Sequence, residues 1–258
     1  MSFDLYDVQS PLLPSHSTIS TMPNASPLPL PQIEDELDLL ASLVHLPGSR
    51  LIELGCGAAK MAMSLVTRFP GAQVTGLEVD ERQLAKNLAA PVMPGLQFVN
   101  AGAQAIPFPS GSFDGAMMLK SLHHVPMPLM TQALSEVARV LKPGGWLYVS
   151  EPVFAGPLNE IMRLFNDEGV VRAVAQQALD RSVHAGEWQS DDEHRFEMPV
   201  SFADFDTFEQ RMMRPTYANH QINETLREVI RVKFNSHLGP LGVELTRPMH
   251  VRLLRRAA

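Results

Sequence analysis

The residues with the most chemical content cluster around one glycine turn, Glu53-Leu54-Gly55-Cys56-Gly57-Ala58-Ala59-Lys60. Gly55 and Gly57 lack Cβ atoms, so the backbone there can turn sharply and approach a flat ligand closely. A helix starting beyond the turn offers unpaired N–H groups to a carboxylate or phosphate. Glu53 is an acid within an apolar run, Leu51-Ile52-Glu53-Leu54, which is costly to bury unless a positive or donor group meets it. Glu78 follows at the distance expected of a ribose-binding acid in dinucleotide folds, and its two oxygens can accept from both ribose hydroxyls. Asp80 has the same parity and competes for that role, although it serves better as the N-cap of the next helix. These types and spacings suit an adenosine-bearing ligand with an amine near Glu53. Cys56 is either a reactive thiol at a helix start or a small residue filling the loop, and the second reading is favoured.

A further set of candidates lies downstream. Lys120, His123 and His124 follow one apolar run, and Glu151 follows another. Histidine titrates near neutral pH, which makes His123 the preferred base for an oxygen or nitrogen acceptor. The alternative is that His123 ties down its own loop, and the same holds for His124, unless it points outward. Lys120 either holds an acidic substrate group or extends its stem to water. Glu151 is either a polar wall of the same space or the cap of a turn. His184, Asp191, Asp192, Glu193 and His194 gather around Trp188, but a charged loop accounts for them, so no metal site is expected. The absence of a Gly-x-Ser-x-Gly elbow disfavours a serine hydrolase.

These residues must be held by elements that the periodicity makes visible. Ile33, Leu37, Leu40 and Val44 recur at helical spacing, and Pro47-Gly48 ends that helix. Strands are expected over Arg50 to Leu54, Val74 to Val79, Leu96 to Asn100, Phe113 to Leu119 and Trp146 to Glu151. Helices are expected between them, over Ala59 to Arg68, Glu81 to Ala89 and Met127 to Leu141. Such alternation implies right-handed crossovers and a parallel sheet covered on both faces. Leu158 to Ser182 and Glu224 to Phe234 read as helices. Phe196 to Phe202 and Met249 to Leu254 alternate in polarity, as an antiparallel pair added to the sheet edge would. The expected fold is a doubly wound α/β domain, a mostly parallel seven-stranded sheet with a helical insertion before its last two strands. Residues 1–31 form a proline- and serine-rich segment, extended or able to fold over the site as a lid. Residues 32–258 form the domain, with 155–192 as the helical insertion and substrate cap.

Five motifs in order carry a resemblance: Leu51-Ile-Glu-Leu-Gly-Cys-Gly57, Val74-Thr-Gly-Leu-Glu-Val-Asp80, Ile106-Pro-Phe-Pro-Ser-Gly-Ser-Phe-Asp114, Ser121-Leu-His-His-Val125 and Arg139-Val-Leu-Lys-Pro-Gly-Gly145. Together, over about residues 33–152, they resemble the class I S-adenosylmethionine-dependent methyltransferases, a Rossmann-like fold. The resemblance implies Glu53 near the methionine amino group, Gly55, Cys56 and Gly57 beneath the cofactor, and Glu78 with Val79 at the ribose. It places Gly102, Ala103 and Gln104 beside the adenine and Leu119 under the methionine end. It implies methyl transfer (EC 2.1.1.-) to a small molecule, with S-adenosylhomocysteine as coproduct and catalytic candidates His123, Lys120 and Glu151. Two positions depart from the family: Ala59 stands where a third glycine is frequent, and Gly102 where an aspartate commonly reaches the adenine amine. Loss of that acceptor costs about 0.5–1.5 kcal/mol, unless Gln104 or a backbone carbonyl replaces it. The departures keep a second reading open, a non-catalytic ligand- or partner-binding protein on the same fold. A nicotinamide site fits less well, because Lys60 occupies the last glycine position of Gly-x-Gly-x-x-Gly.

Composition narrows the partners. The 258 residues carry 21 basic and 28 acidic side chains, a net charge of −7, which gives no general attraction to nucleic acid or anionic membranes. The arginines at 247, 252, 255 and 256 are the one basic grouping, read as a solvated C-terminal strand. No run of about 18 apolar residues is free of charge, so no spanning helix is expected. The start lacks the basic and apolar regions of a signal peptide. A single cysteine excludes an intrachain disulfide. A cytoplasmic protein acting on a small molecule, of undetermined oligomeric state, is the resulting expectation.

Overall fold

The computed structural model describes residues 29–215, 218 and 220–257. The proposed lid over 1–31 therefore falls almost wholly outside the described residues. Its last part runs beside an edge strand, where Glu197 N donates to Pro31 O and Ile33 N to Glu197 O.

Five parallel strands form one half of the sheet: β1 (Arg50–Leu54), β2 (Gln73–Glu78), β3 (Leu96–Asn100), β4 (Phe113–Leu119) and β5 (Leu141–Pro152). Two long antiparallel strands, β6 (Trp188–Phe202) and β8 (Gly242–Arg256), complete the order β3-β2-β1-β4-β5-β8-β6, and the two-residue β7 (Leu238–Gly239) pairs with β8. β1, β2 and β4 are buried along nearly their whole length because both of their faces are covered. One face packs Ile52, Leu54, Met118 and Leu147 under α4 (Met130–Val140) and α6 (Gly169–His184). The other packs Leu51, Met117 and Tyr148 under α1 (Glu36–Leu43) and α2 (Lys60–Arg68). The chain adds strands on one side of β1 through β3 and then returns to the other side with β4. The crevice between β1 and β4, beyond their carboxyl ends, is the switch point at which open α/β sheets bind ligands. α3 (Glu81–Ala89) links β2 to β3. No helix among the described residues is long and apolar enough to cross a membrane.

The late part of the chain differs from the sequence expectation in four ways. The helix expected over 158–182 is two, α5 (Pro157–Met162) and α6, because Asn166-Asp167-Glu168-Gly169 forms a turn in which Gly169 N donates to Asp167 Oδ1 (3.0 Å). A short helix that was not expected, α7 (Phe205–Phe208), follows β6, and with the expected helix α8 (Glu224–Asn235) it builds a third apolar cluster around Phe202, Phe208 and Phe234. The charged residues 191–194 lie in β6 rather than in a loop, since an edge strand exposes polar side chains to water. The C-terminal arginines are not on a solvated strand either. β8 runs between β5 and β6, with Arg255 paired to Asp191 and Arg252 to Asp180, each at 2.7 Å.

Gly115 faces Trp146 across β4 and β5, and a Cβ there would sit 2.1 Å from the indole. Gly115→Ala is expected to destabilise the fold by about 3 kcal/mol through overpacking. A urea titration reads this as a lower midpoint at unchanged slope, and an unchanged midpoint would refute the close packing described.

Candidate functional site

The turn after β1 holds three residues in the left-handed region, Gly55 (φ +68°), Gly57 (φ +51°) and Ala59 (φ +54°). Gly55 is needed for closeness: a Cβ would lie 2.9 Å from Ser121 Cβ, and Ser121 Oγ donates to Leu54 O (2.7 Å), stapling the β1 and β4 loops together. Gly57 is needed for openness, because a Cβ there would meet nothing within 4 Å. Ala59 bears the strain where a glycine would not, at about 1–2 kcal/mol for an alanine. Cys56 is a packing residue. Its Sγ lies 2.8 Å from where a Cβ on Gly76 would be, and burial pushes its thiol far above the ordinary range.

Glu78 ends β2 with its carboxylate clamped by backbone. Oε2 accepts from Gly57 N (2.7 Å), and Oε1 accepts from Val79 N and Asp80 N (2.9 Å each). Asp80 turns away to cap α3, accepting from Arg82 N (3.0 Å), so the two acids divide the roles for which they competed. Beside Glu78 the apolar side chain of Val79 is 62% exposed, an uncovered surface at the turn.

Glu53 lies one strand away and is 4% exposed. Its Oε2 accepts from Ala62 N on α2 at 3.1 Å. Burial pushes its pKa up to about 8, against the lowering by the Ala62 N–H and Lys120, while Glu36 and Glu78 raise it further. The side chain is thus a largely protonated acid at neutral pH, placed where a cation would ionise it.

Lys120, at φ +56°, reaches Glu36 Oε2 (3.5 Å) rather than the histidines. Glu36, 5% exposed, also accepts from Tyr148 Oη (3.2 Å). Sequence reasoning missed Glu36, whose signal was its position one turn before Leu40 on the apolar face of α1. Leu119, at the end of β4, is half-buried. At β3's end, the amide of Gln104 folds over Gly102: a Cβ on Gly102 would lie 2.4 Å from Gln104 Oε1. The glutamine therefore fills the space into which a side chain at 102 would project. Ala103 beside it is buried.

His123 and His124 sit in a 3-10 turn, Leu122–His124. Glu151 is neither an open wall nor a simple cap. Its Oε1 accepts from Leu122 N (2.9 Å) and its Oε2 binds His123 Nδ1, so both oxygens fix the turn. His123 Nε2 faces Glu168 Oε2 at 3.8 Å, and Glu168 in turn accepts from Arg172 Nη2 (2.5 Å). His124 is exposed, with its ring centroid 4.1 Å from that of His123. Desolvation and the neighbouring His123 hold its pKa below the ordinary value. Glu168 and Arg172 also escaped the sequence reading, and only their spacing of one helical turn hinted at a pair.

A family model described as a methyltransferase domain matches residues 52–149. The chain is 34% identical over 146 residues to a fatty-acid O-methyltransferase of Mycolicibacterium smegmatis, covering 57% of this chain and 52% of that protein. It spans about half the length of the curated relatives it matches. The fold is shared with a putative methyltransferase of Bacillus halodurans (TM-score 0.62, 15% identity, 87% of this chain and 99% of that one). It is shared too with the [4+2]-cyclase SpnF (TM-score 0.56, 22% identity, 86% of this chain and 80% of that one). The matched stretch, residues 52–149, holds Glu53, the glycine turn, Glu78, Lys120 and both histidines. Glu36, Glu151, Glu168 and Arg172 come from outside it.

Proposed function

We propose that the protein transfers the methyl group of S-adenosylmethionine to a small-molecule acceptor and releases S-adenosylhomocysteine. The observation that carries this reading is Glu53, a buried acid with a raised pKa beside an open glycine cradle. The residues present fit the cofactor. Glu53 offers a counter-charge to an ammonium, Gly57 leaves room above the turn, and Glu78 offers two oriented oxygens to a pair of hydroxyls. Val79 supplies an apolar surface for the base, with Ala103 and Gln104 at its edge. Bound there, S-adenosylmethionine supplies an electrophilic methyl group on a sulfonium.

What this chain's residues contribute is mainly alignment. Rigid seating of the cofactor leaves the acceptor to be held in line, which alone removes much of the barrier. Lys120 is the positioning residue for the Glu36 and Glu53 pair. Proton removal from a hydroxyl acceptor falls to the corner around His123, with Glu151 as its positioning residue. A small-molecule acceptor is supported by the fatty-acid O-methyltransferase relative and by the net charge of −7, which disfavours nucleic acid and anionic membranes. The single cysteine suits a cytoplasmic setting.

The second reading is binding without catalysis, favoured by one observation: His123 is 3% exposed, with both ring nitrogens facing carboxylates. Incubation with methyl-labelled cofactor and a panel of carboxyl- and hydroxyl-bearing acceptors separates the two. Label on an acceptor with matching S-adenosylhomocysteine is the expected result. Tight cofactor binding with no transfer to any member would favour the second reading.

A further inference from the structure

We propose that His123, His124 and Glu168 form a binding site for one divalent metal ion of the zinc class. One donor atom from each of the three lies within 4.8 Å of the others. His123 Nε2 and Glu168 Oε2 are 3.8 Å apart, too far for a hydrogen bond. That separation is close to the edge, about 3.3 Å, of a tetrahedron of ligands at about 2.0–2.1 Å. The two side chains face each other across a gap that suits a shared ion.

The surroundings are those of a supported ligand set. Glu151 holds His123 by Nδ1, which leaves Nε2 as the donor and fixes the ring plane. Glu168 is anchored through Oε2 by Arg172 Nε (3.1 Å) and Nη2 (2.5 Å), and through Oε1 by Asn166 Nδ2 (2.9 Å). Three of the carboxylate's four acceptor positions are then taken, which leaves one on Oε1 for a metal. His124 is exposed and can rotate to close the distance. With neutral imidazoles, two carboxylates against one guanidinium leave the corner negative, which a dication offsets.

Two imidazoles with one carboxylate select zinc, cobalt, iron or manganese over calcium or magnesium, whose sites are built from oxygen. Three protein ligands leave a fourth position for water or a substrate oxygen. Its use in catalysis rests on the proposed methyl transfer, whereas the binding site does not. A hydroxyl acceptor bound there loses its proton to solvent at a lowered pKa. Its oxygen forms the new bond to the methyl carbon while the carbon–sulfur bond breaks, with the electron pair remaining on sulfur. The sequence did not show the site because Glu168 lies on a different element from the two histidines.

The test uses the full chain after chelator treatment and dialysis. Cobalt(II) is titrated and followed by its visible ligand-field absorption, and zinc(II) by calorimetry. One cobalt per chain, displaced by zinc, is expected. His124→Ala and Glu168→Gln should each weaken zinc binding by at least about tenfold, and Glu151→Gln by about 10–100-fold through the second partner of His123. His124 is exposed, so its variant keeps the fold. Titration of that variant with S-adenosylmethionine is expected to match the wild type, which separates failure of the metal site from failure of the cofactor reading. Absence of a cobalt band, or zinc affinity unchanged in both His124→Ala and Glu168→Gln, overturns the proposal.

Discussion

Replacing Glu78 by alanine is expected to lower affinity for S-adenosylmethionine by about a hundredfold to ten-thousandfold. Two hydrogen bonds from ribose hydroxyls to a carboxylate are each worth about 1.5–3 kcal/mol, and about 1.4 kcal/mol is a factor of ten. The variant also leaves Gly57 N, Val79 N and Asp80 N without their acceptor, which loosens the turn that must lie beneath the ligand. Glu78→Gln keeps one carbonyl oxygen and should fall between the wild type and the alanine variant. Calorimetric titration gives both values. An alanine variant that binds within a factor of three of the wild type would remove Glu78 from the site.

The second large effect concerns Glu53 and has a sign fixed by its shifted pKa. In the unfolded chain the group titrates near 4.5, and in the folded, ligand-free protein near 8. The folded state therefore binds more protons between these values. Its contribution to stability is fully present below about pH 4.5 and is lost as the pH rises through about 8. Cofactor binding has the opposite dependence on this group. An ammonium pairs with the ionised carboxylate, so affinity should rise with pH towards 8, by about tenfold per unit at the steepest. Above about 8 the ligand's own amine, with a reference pKa of about 7.7–8.0, loses its proton and affinity should fall. Glu53→Gln keeps an acceptor for the Ala62 N–H but cannot ionise. It should flatten the acid side of the profile and lower affinity at pH 8 by about 10–100-fold, the worth of one hydrogen bond to a charged group. A variant with the wild-type profile would show that Glu53 is not the counter-charge.

Much of this site was readable in the sequence because its residues break local patterns. Glu53 interrupts an apolar strand, paired glycines interrupt a strand-to-helix passage, and Glu78 ends a buried run. β1 and β4 were legible because strands covered on both faces read as short apolar blocks between glycine and proline signals. What stayed hidden depends on contacts distant in sequence. Lys120 meets Glu36 across 84 residues, and His123 meets Glu151 across 28, with nothing in either local stretch to announce the pairing. The start of β6 was misread because its charges, which find partners on neighbouring strands, look like a solvated loop when taken alone. The break between α5 and α6 lay in Asn166-Asp167-Glu168-Gly169, whose turn chemistry was outweighed by the apolar periodicity on either side. That break places Glu168 against His123.

The central claim is that a buried, protonated Glu53 becomes the ionised partner of the cofactor's ammonium. Its most direct test is calorimetric titration of the wild-type protein with S-adenosylmethionine at pH 7 in two buffers of different ionisation enthalpy. With Glu53 near pKa 8 before binding and the ligand's amine mostly protonated at pH 7, the account predicts one site per chain and net release of about 0.8 proton on binding. Binding with no proton released would contradict it, as would the same release from Glu53→Gln.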